Sequence, residues 1–161
     1  MALFDTLRVT WYRNNKNIDG LIKLLNGGEY GVQEAAARAL GSLGNPKAVP
    51  ALLQALENPK FGPRWVIVEA LGKIRSPEVL PILINALKDE ETVTRMFAAA
   101  ALGRQGGSEA IRALAGAAGD EQQLVRFRVA EALRAIQTRG GLDEESRALV
   151  KDTLAQLTKA L

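Results

Sequence analysis

The chain repeats itself every 31 residues. Ala39-Leu40-Gly41 returns as Ala70-Leu71-Gly72, as Ala101-Leu102-Gly103 and, with the glycine lost, as Ala132-Leu133-Arg134. The segments ending there align as VQEAAARALG, PRWVIVEALG, TRMFAAAALG and VRFRVAEALR. A fixed period between about 20 and 50 residues marks a stack of supersecondary units, each burying its apolar face only against its neighbours. Such a stack presents a surface more readily than a reaction centre.

Each unit reads as two helices. In the second, Val49, Leu52, Leu53 and Leu56 fall at the spacing of one helical face. Pro50 lies in the first turn, where a missing N–H costs little. Asn58-Pro59 and Gly62 stop that helix, Pro63 opens PRWVIVEALGKI, and Arg75-Ser76-Pro77 ends it. The third unit supplies EVLPILINALK and ETVTRMFAAAALGR, the fourth EAIRALAGAA and EQQLVRFRVAEALRAIQ, the first NIDGLIKLLN and YGVQEAAARALGSL. The ends differ. ALFDTLRVTWYR fills the slot of a second helix only, and Leu3, Phe4, Leu7 and Trp11 on one face predict a packed N-terminal cap. After Gly140-Gly141, Asp143 is the expected N-cap of a last helix, whose stripe is Leu149, Val150, Leu154 and Leu157. The expected fold is all-α: a right-handed α-solenoid forming one domain over 1–161. It comprises a cap helix (1–16), four hairpin units (17–46, 47–77, 78–108 and 109–139) and a second cap (140–161).

Composition removes whole classes of chemistry. The 161 residues include no His and no Cys. Ser-His-Asp, Cys-His and His-metal mechanisms are therefore absent, as are disulfides and thiolate zinc sites. The net charge is a mild +3. No run approaches the ~20 apolar residues of a membrane span, and the N-terminus lacks a secretory pattern. These features predict a cytoplasmic, non-catalytic protein with no cofactor or metal, no membrane contact, and a monomeric state on its own. Asp89-Glu90-Glu91 opens a helix, where acid is stabilised by the dipole.

The pattern V-R-x-x-A-x-x-A-L-G, then a turn with proline, then A-V-P-x-L-L-x-A-L, resembles the HEAT-like repeat of the phycobilisome-lyase type. VQEAAARALGSLGNPKAVPALLQAL and VIVEALGKIRSPEVLPILINAL carry the match, which extends over about residues 18–138. The resemblance implies a helical-hairpin solenoid used as an interaction surface. The family includes subunits that help attach bilins to phycobiliproteins, generally longer than this chain and working in pairs. It also includes a hydroxylase that uses His-Glu metal pairs, which a chain without His cannot form, and enzymes that excise alkylated bases, whose residues are not carried onto this chain.

Counting back from the repeat glycine sorts the second helices. Positions nine, five, two and one before it should be core: Val32, Ala36, Ala39, Leu40; Pro63, Ile67, Ala70, Leu71; Thr94, Ala98, Ala101, Leu102; Val125, Val129, Ala132, Leu133. Positions seven, four and three should face the concave groove that second helices line in this repeat type. Position seven reads Glu34, Trp65, Met96, Phe127, and position four Ala37, Val68, Ala99, Ala130. Trp65, Met96 and Phe127 over a floor that includes Val68 form a candidate binding row for a protein or peptide; the alternative is that they pack adjacent units together. Position eight carries Gln33, Arg64, Arg95 and Arg126. These arginines either brace the scaffold or form a basic rail. Glu69 and Glu131 break up any uniform positive field, so nucleic acid is an unfavoured partner.

Overall fold

The computed structural model describes residues 2–58 and 61–160. They form ten α-helices and a single 3₁₀ turn, Pro46–Ala48, with no strand among the described residues. The helices are α1 (Ala2–Asn14), α2 (Ile18–Gly27), α3 (Tyr30–Leu43), α4 (Val49–Glu57), α5 (Arg64–Lys73), α6 (Val79–Ala86), α7 (Thr92–Gln105), α8 (Gly107–Gly116), α9 (Gln123–Arg139) and α10 (Glu144–Ala160). Each expected hairpin is present, and α3 coincides with YGVQEAAARALGSL. Asn58 follows α4 as expected, whereas Pro59 lies outside the described residues. The chain divides into two compact units, residues 1–79 and 80–161.

In the first unit, first helices pack on first helices (α2 on α4) and second on second (α3 on α5), while α1 leans on α2 and α3. Leu21, Leu25, Leu40, Leu52, Ile67 and Leu71 are wholly buried. Local chemistry sets the boundaries. The Asn17 side chain accepts a 2.8 Å hydrogen bond from the Gly20 N–H and caps α2. Gly44, at φ +64°, takes the left-handed conformation that closes α3. The repeat glycine has a different task. A Cβ on Gly41 would lie 2.6 Å from the Cα of Ala70, so only glycine lets α3 and α5 approach this closely.

The second unit uses the same device. A Cβ on Gly103 of α7 would lie 2.8 Å from the Cβ of Ala132 on α9. Helix α8 packs on both α7 and α9, and α10 closes the unit against α8 and α9. The fourth copy needs no glycine because no further second helix stacks there, and Arg134 is exposed. Asp143 caps α10, accepting a 2.7 Å bond from the Ser146 N–H. That bond holds its carboxyl below the ordinary carboxylate range. Helix α10 buries Ser146, Val150, Thr153 and Leu157, with Leu149 and Leu154 half-buried. Of the sixteen expected core positions, all are buried except Pro63, which is half-buried.

The N-terminal cap departs from expectation. Phe4, Leu7 and Trp11 are 73%, 60% and 59% exposed; the Leu3 side chain lies outside the described ones. What α1 buries is Val9, which stands 31 residues before Leu40 and inherits its inward register. The Tyr12 ring adds a second contact, lying so close to Gly20 that a Cβ there would sit 2.6 Å away. The bulkier stripe is thus turned outward. Converting both Leu7 and Trp11 to glutamine should shift unfolding by no more than about 0.5 kcal/mol each, as for other surface sites; a thermal melt of the double variant checks this.

Candidate interaction surface

Position four is core, not groove floor. Ala37, Val68, Ala99 and Ala130 are all wholly inaccessible, so Val68 cannot touch a ligand. The reason is angular: at 3.6 residues per turn, position four lies about 40° around the helix from the repeat glycine. In α3 and α7 it is covered by the close approach that Gly41 and Gly103 permit.

The arginine row is built into the scaffold. Arg95, 7% exposed, pairs bidentately with Asp120 at 2.8 and 3.1 Å and donates to the carbonyls of Asp89 and Glu90. The Asp120 hydrogen bond is the main reason its pKa is raised. Arg126 repeats the carbonyl contacts one period later, donating to Asp120 and Glu121 at 2.8 and 3.1 Å. Arg64 donates to the Leu56 carbonyl at 3.0 Å. The basic-rail alternative fails for Arg95, which is sealed. Arg64 likewise spends a donor on the last turn of α4, and Arg126 on the backbone just before α9.

The inner face of the first unit is occupied by its own side chains. Arg38 of α3 donates to Glu34 on its own helix at 3.0 Å and to Glu69 on α5 at 2.8 Å. Glu69 also pairs with Lys73 at 2.8 Å. The Arg38 guanidinium lies over the Trp65 ring, 4.9 Å from its centroid, a cation–π contact. Trp65 is half-buried beneath it.

The second unit leaves the same face open. Ala100, Gly103 and Arg104 of α7 and Arg128, Glu131, Ala135 and Arg139 of α9 line a cleft of about 640 Å³. At position three, the column that reads Arg38, Glu69, Ala100, Glu131 offers a methyl group where α3 places the arginine that fills the first unit's face. Met96 sits one turn before Ala100, and Phe127 one turn before Glu131, so both extend the cleft-bearing faces of two directly packed helices. Met96 is half-buried and Phe127 is 45% exposed. Glu131 pairs with Arg128 at 2.8 Å. Arg139 donates to the carbonyls of Gly103 and Arg104, capping the last turn of α7 with positive charge. The row Trp65, Met96, Phe127 is therefore divided: Trp65 belongs to the occupied face of one unit, Met96 and Phe127 to the open face of the other. Of the cleft residues, Arg128, Ala135 and Arg139 were absent from the sequence expectation. The lone small residue in the position-three column was the available signal.

Short paired helices, with second helices stacked on second helices in each unit (α3 on α5, α7 on α9) and α2 on α4 in the first, define a helical-hairpin repeat protein. Residues 18–92 and 80–159 both match the model of the HEAT repeats, and the chain belongs to that family. HEAT repeats build interaction scaffolds. The fold is similar to that of a solved chain in the complex of CpcE and CpcF of phycocyanin lyase from Nostoc sp. PCC7120. The TM-score is 0.64 and the identity 24%, over 86% of this chain and 88% of that one. No curated protein sequence matches this chain. Among the described residues no helix is long and apolar enough to cross a membrane, and no acidic cluster is arranged to hold a metal ion.

Proposed function

We propose that this protein is a non-catalytic, cytoplasmic interaction module, monomeric on its own, that binds a segment of a partner protein against the α7/α9 face. Phe127 and Met96 are its apolar anchors. The observation that carries this reading is Phe127, 45% exposed beside a cleft of about 640 Å³. The Ala100 and Ala135 floor admits an apolar side chain, and Arg104 and Arg128 at the sides favour acidic residues flanking it. Trp65 is a secondary anchor that requires Arg38 to swing aside. Glu69 and Glu131 are each neutralised by a cation, which suits positioning rather than acid–base work. With the arginine row committed to backbone carbonyls and Asp120, nucleic acid is disfavoured.

A second reading concerns the partner's identity. The similar solved chain comes from a two-chain phycocyanin lyase complex, so a second HEAT-type chain, in a tetrapyrrole-handling system, is the specific alternative.

The test is Phe127→Asp. It should leave the melting point nearly unchanged, within about 0.5 kcal/mol, while a partner retained by the wild type is lost with a penalty of about 2 kcal/mol or more. A photo-crosslinker at position 127 should label that partner, and one at exposed Arg134 should not. Equal retention by wild type and variant rejects the α7/α9 site, and if the labelled protein is another HEAT-repeat chain the second reading is favoured.

A further inference from the structure

The layer of first helices in the 80–161 unit contains a second concavity. Ile84 of α6, Leu87 just after it, and Ala113 and Gly116 of α8 wall a cavity of about 470 Å³, bordered by the exposed Lys88 and Arg112. Its origin is legible in the 31-residue register. Gly116 stands where α4 carries Gln54 and α6 carries Asn85, and Ala113 where α6 carries Ile82. In the first unit α2 packs directly on α4, whereas in the second this pair of small residues leaves space between α6 and α8.

The charges at the border differ from the arginines that are tied into the scaffold. Arg95, Arg126, Arg128 and Arg139 are each bound to an acid or to backbone carbonyls. The side chains of Lys88 and Arg112 have no hydrogen-bond or ion-pair partner among the described residues. The carboxylate nearest the cavity, Asp120, is held by Arg95. Two cations thus flank an apolar recess whose one lining carboxylate, Asp120, is already paired with Arg95, and the Arg112 charge is shared only with Asp143.

We infer that this cavity binds a small organic anion, an apolar body bearing a carboxylate. The body lies between Ile84, Leu87 and Ala113, and the carboxylate meets Lys88 and Arg112. The volume lies within the roughly 300–1,000 Å³ of small-molecule sites. Charge-assisted hydrogen bonds from a guanidinium and an ammonium give the anionic end its preference over a neutral one. This site is independent of the α7/α9 face.

Octanoate titrated into ¹⁵N-labelled protein tests it, with 1-octanol as the neutral counterpart. Octanoate should produce saturable shifts at the amides of Leu87, Ala113 and Gly116, and 1-octanol should bind at least tenfold more weakly. The Lys88→Gln/Arg112→Gln double variant should lose at least tenfold in octanoate affinity. Gly116→Leu fills the recess; it should melt no lower than wild type, because a Cβ at Gly116 meets nothing within 4 Å, and should abolish the shifts. The inference is overturned if octanoate gives no saturable shifts there, if its shifts are confined to Leu7 and Trp11 on α1, if octanol binds equally, or if either variant binds as the wild type does.

Discussion

Replacing Asp120 with alanine is expected to lower the unfolding free energy by about 3 kcal/mol, because it leaves a guanidinium uncompensated in a nearly closed site. Both partners are about nine-tenths covered, with side chains 9% and 10% exposed. Arg95→Met in the same background should recover part of the loss, since an apolar pair of similar volume is better tolerated than a lone charge. Acid provides a second measurement. Burial alone would raise the Asp120 carboxyl, but the hydrogen bonds from Arg95 and the Gln122 N–H, with the charges of Arg95 and Arg126, outweigh it and hold the group below its ordinary range. A carboxyl depressed in the folded state stabilises above its unfolded pKa, and that contribution disappears as pH falls through the folded one. Urea unfolding of wild type and Asp120→Ala should therefore differ most near neutrality and converge on acidification. A gap that stays constant with pH would show that the ionised pair is not the source of the stability.

Gly41→Val should cost about 3 kcal/mol, at the upper end of overpacking effects. Helix propensity alone favours almost any residue over glycine, by up to about 1 kcal/mol. The sign reverses here because the added Cβ meets backbone, 2.6 Å from the Ala70 Cα and 3.0 Å from its carbonyl oxygen, rather than a flexible side-chain end. Gly31 is the internal control. It lies in the same helix, and a Cβ there meets nothing within 4 Å. Gly31→Ala should gain up to about 1 kcal/mol. Denaturant midpoints of the two variants should therefore move in opposite directions. If Gly41→Val is tolerated like Gly31→Ala, the tight α3–α5 approach is not what the repeat glycine serves.

Periodicity carried most of the architecture because stacking imposes the same burial on every copy. Leu40, Leu71, Leu102 and Leu133 occupy one register and are all fully buried. The misreadings arose where the answer depended on a neighbouring helix. The Phe4, Leu7 and Trp11 stripe has the spacing of a packed face, yet the 31-residue register assigns burial to Val9. Val68 looked like groove floor only as long as the depth of the Gly–Ala approach was unknown. For Arg95, composition allowed either rail or brace, and the decision rests on Asp120, 25 residues away beyond α8. The open cleft depends on a missing side chain, Ala100, and an absence is harder to notice than an anchor. Phe127 was visible from the sequence, whereas its separation from the covered Trp65 required the Arg38 geometry.

The Arg95–Asp120 brace also bears on how such a chain can change length. Its two ends are 25 residues apart, less than one 31-residue period. A tandem duplication of a whole period reproduces both ends in the correct order, so an added copy brings its own latch and needs no compensating change elsewhere. The same offset carries Arg126 to Lys151, a residue that cannot serve as the acid. Gene growth by insertion of whole 31-residue blocks is therefore compatible with the register of the array.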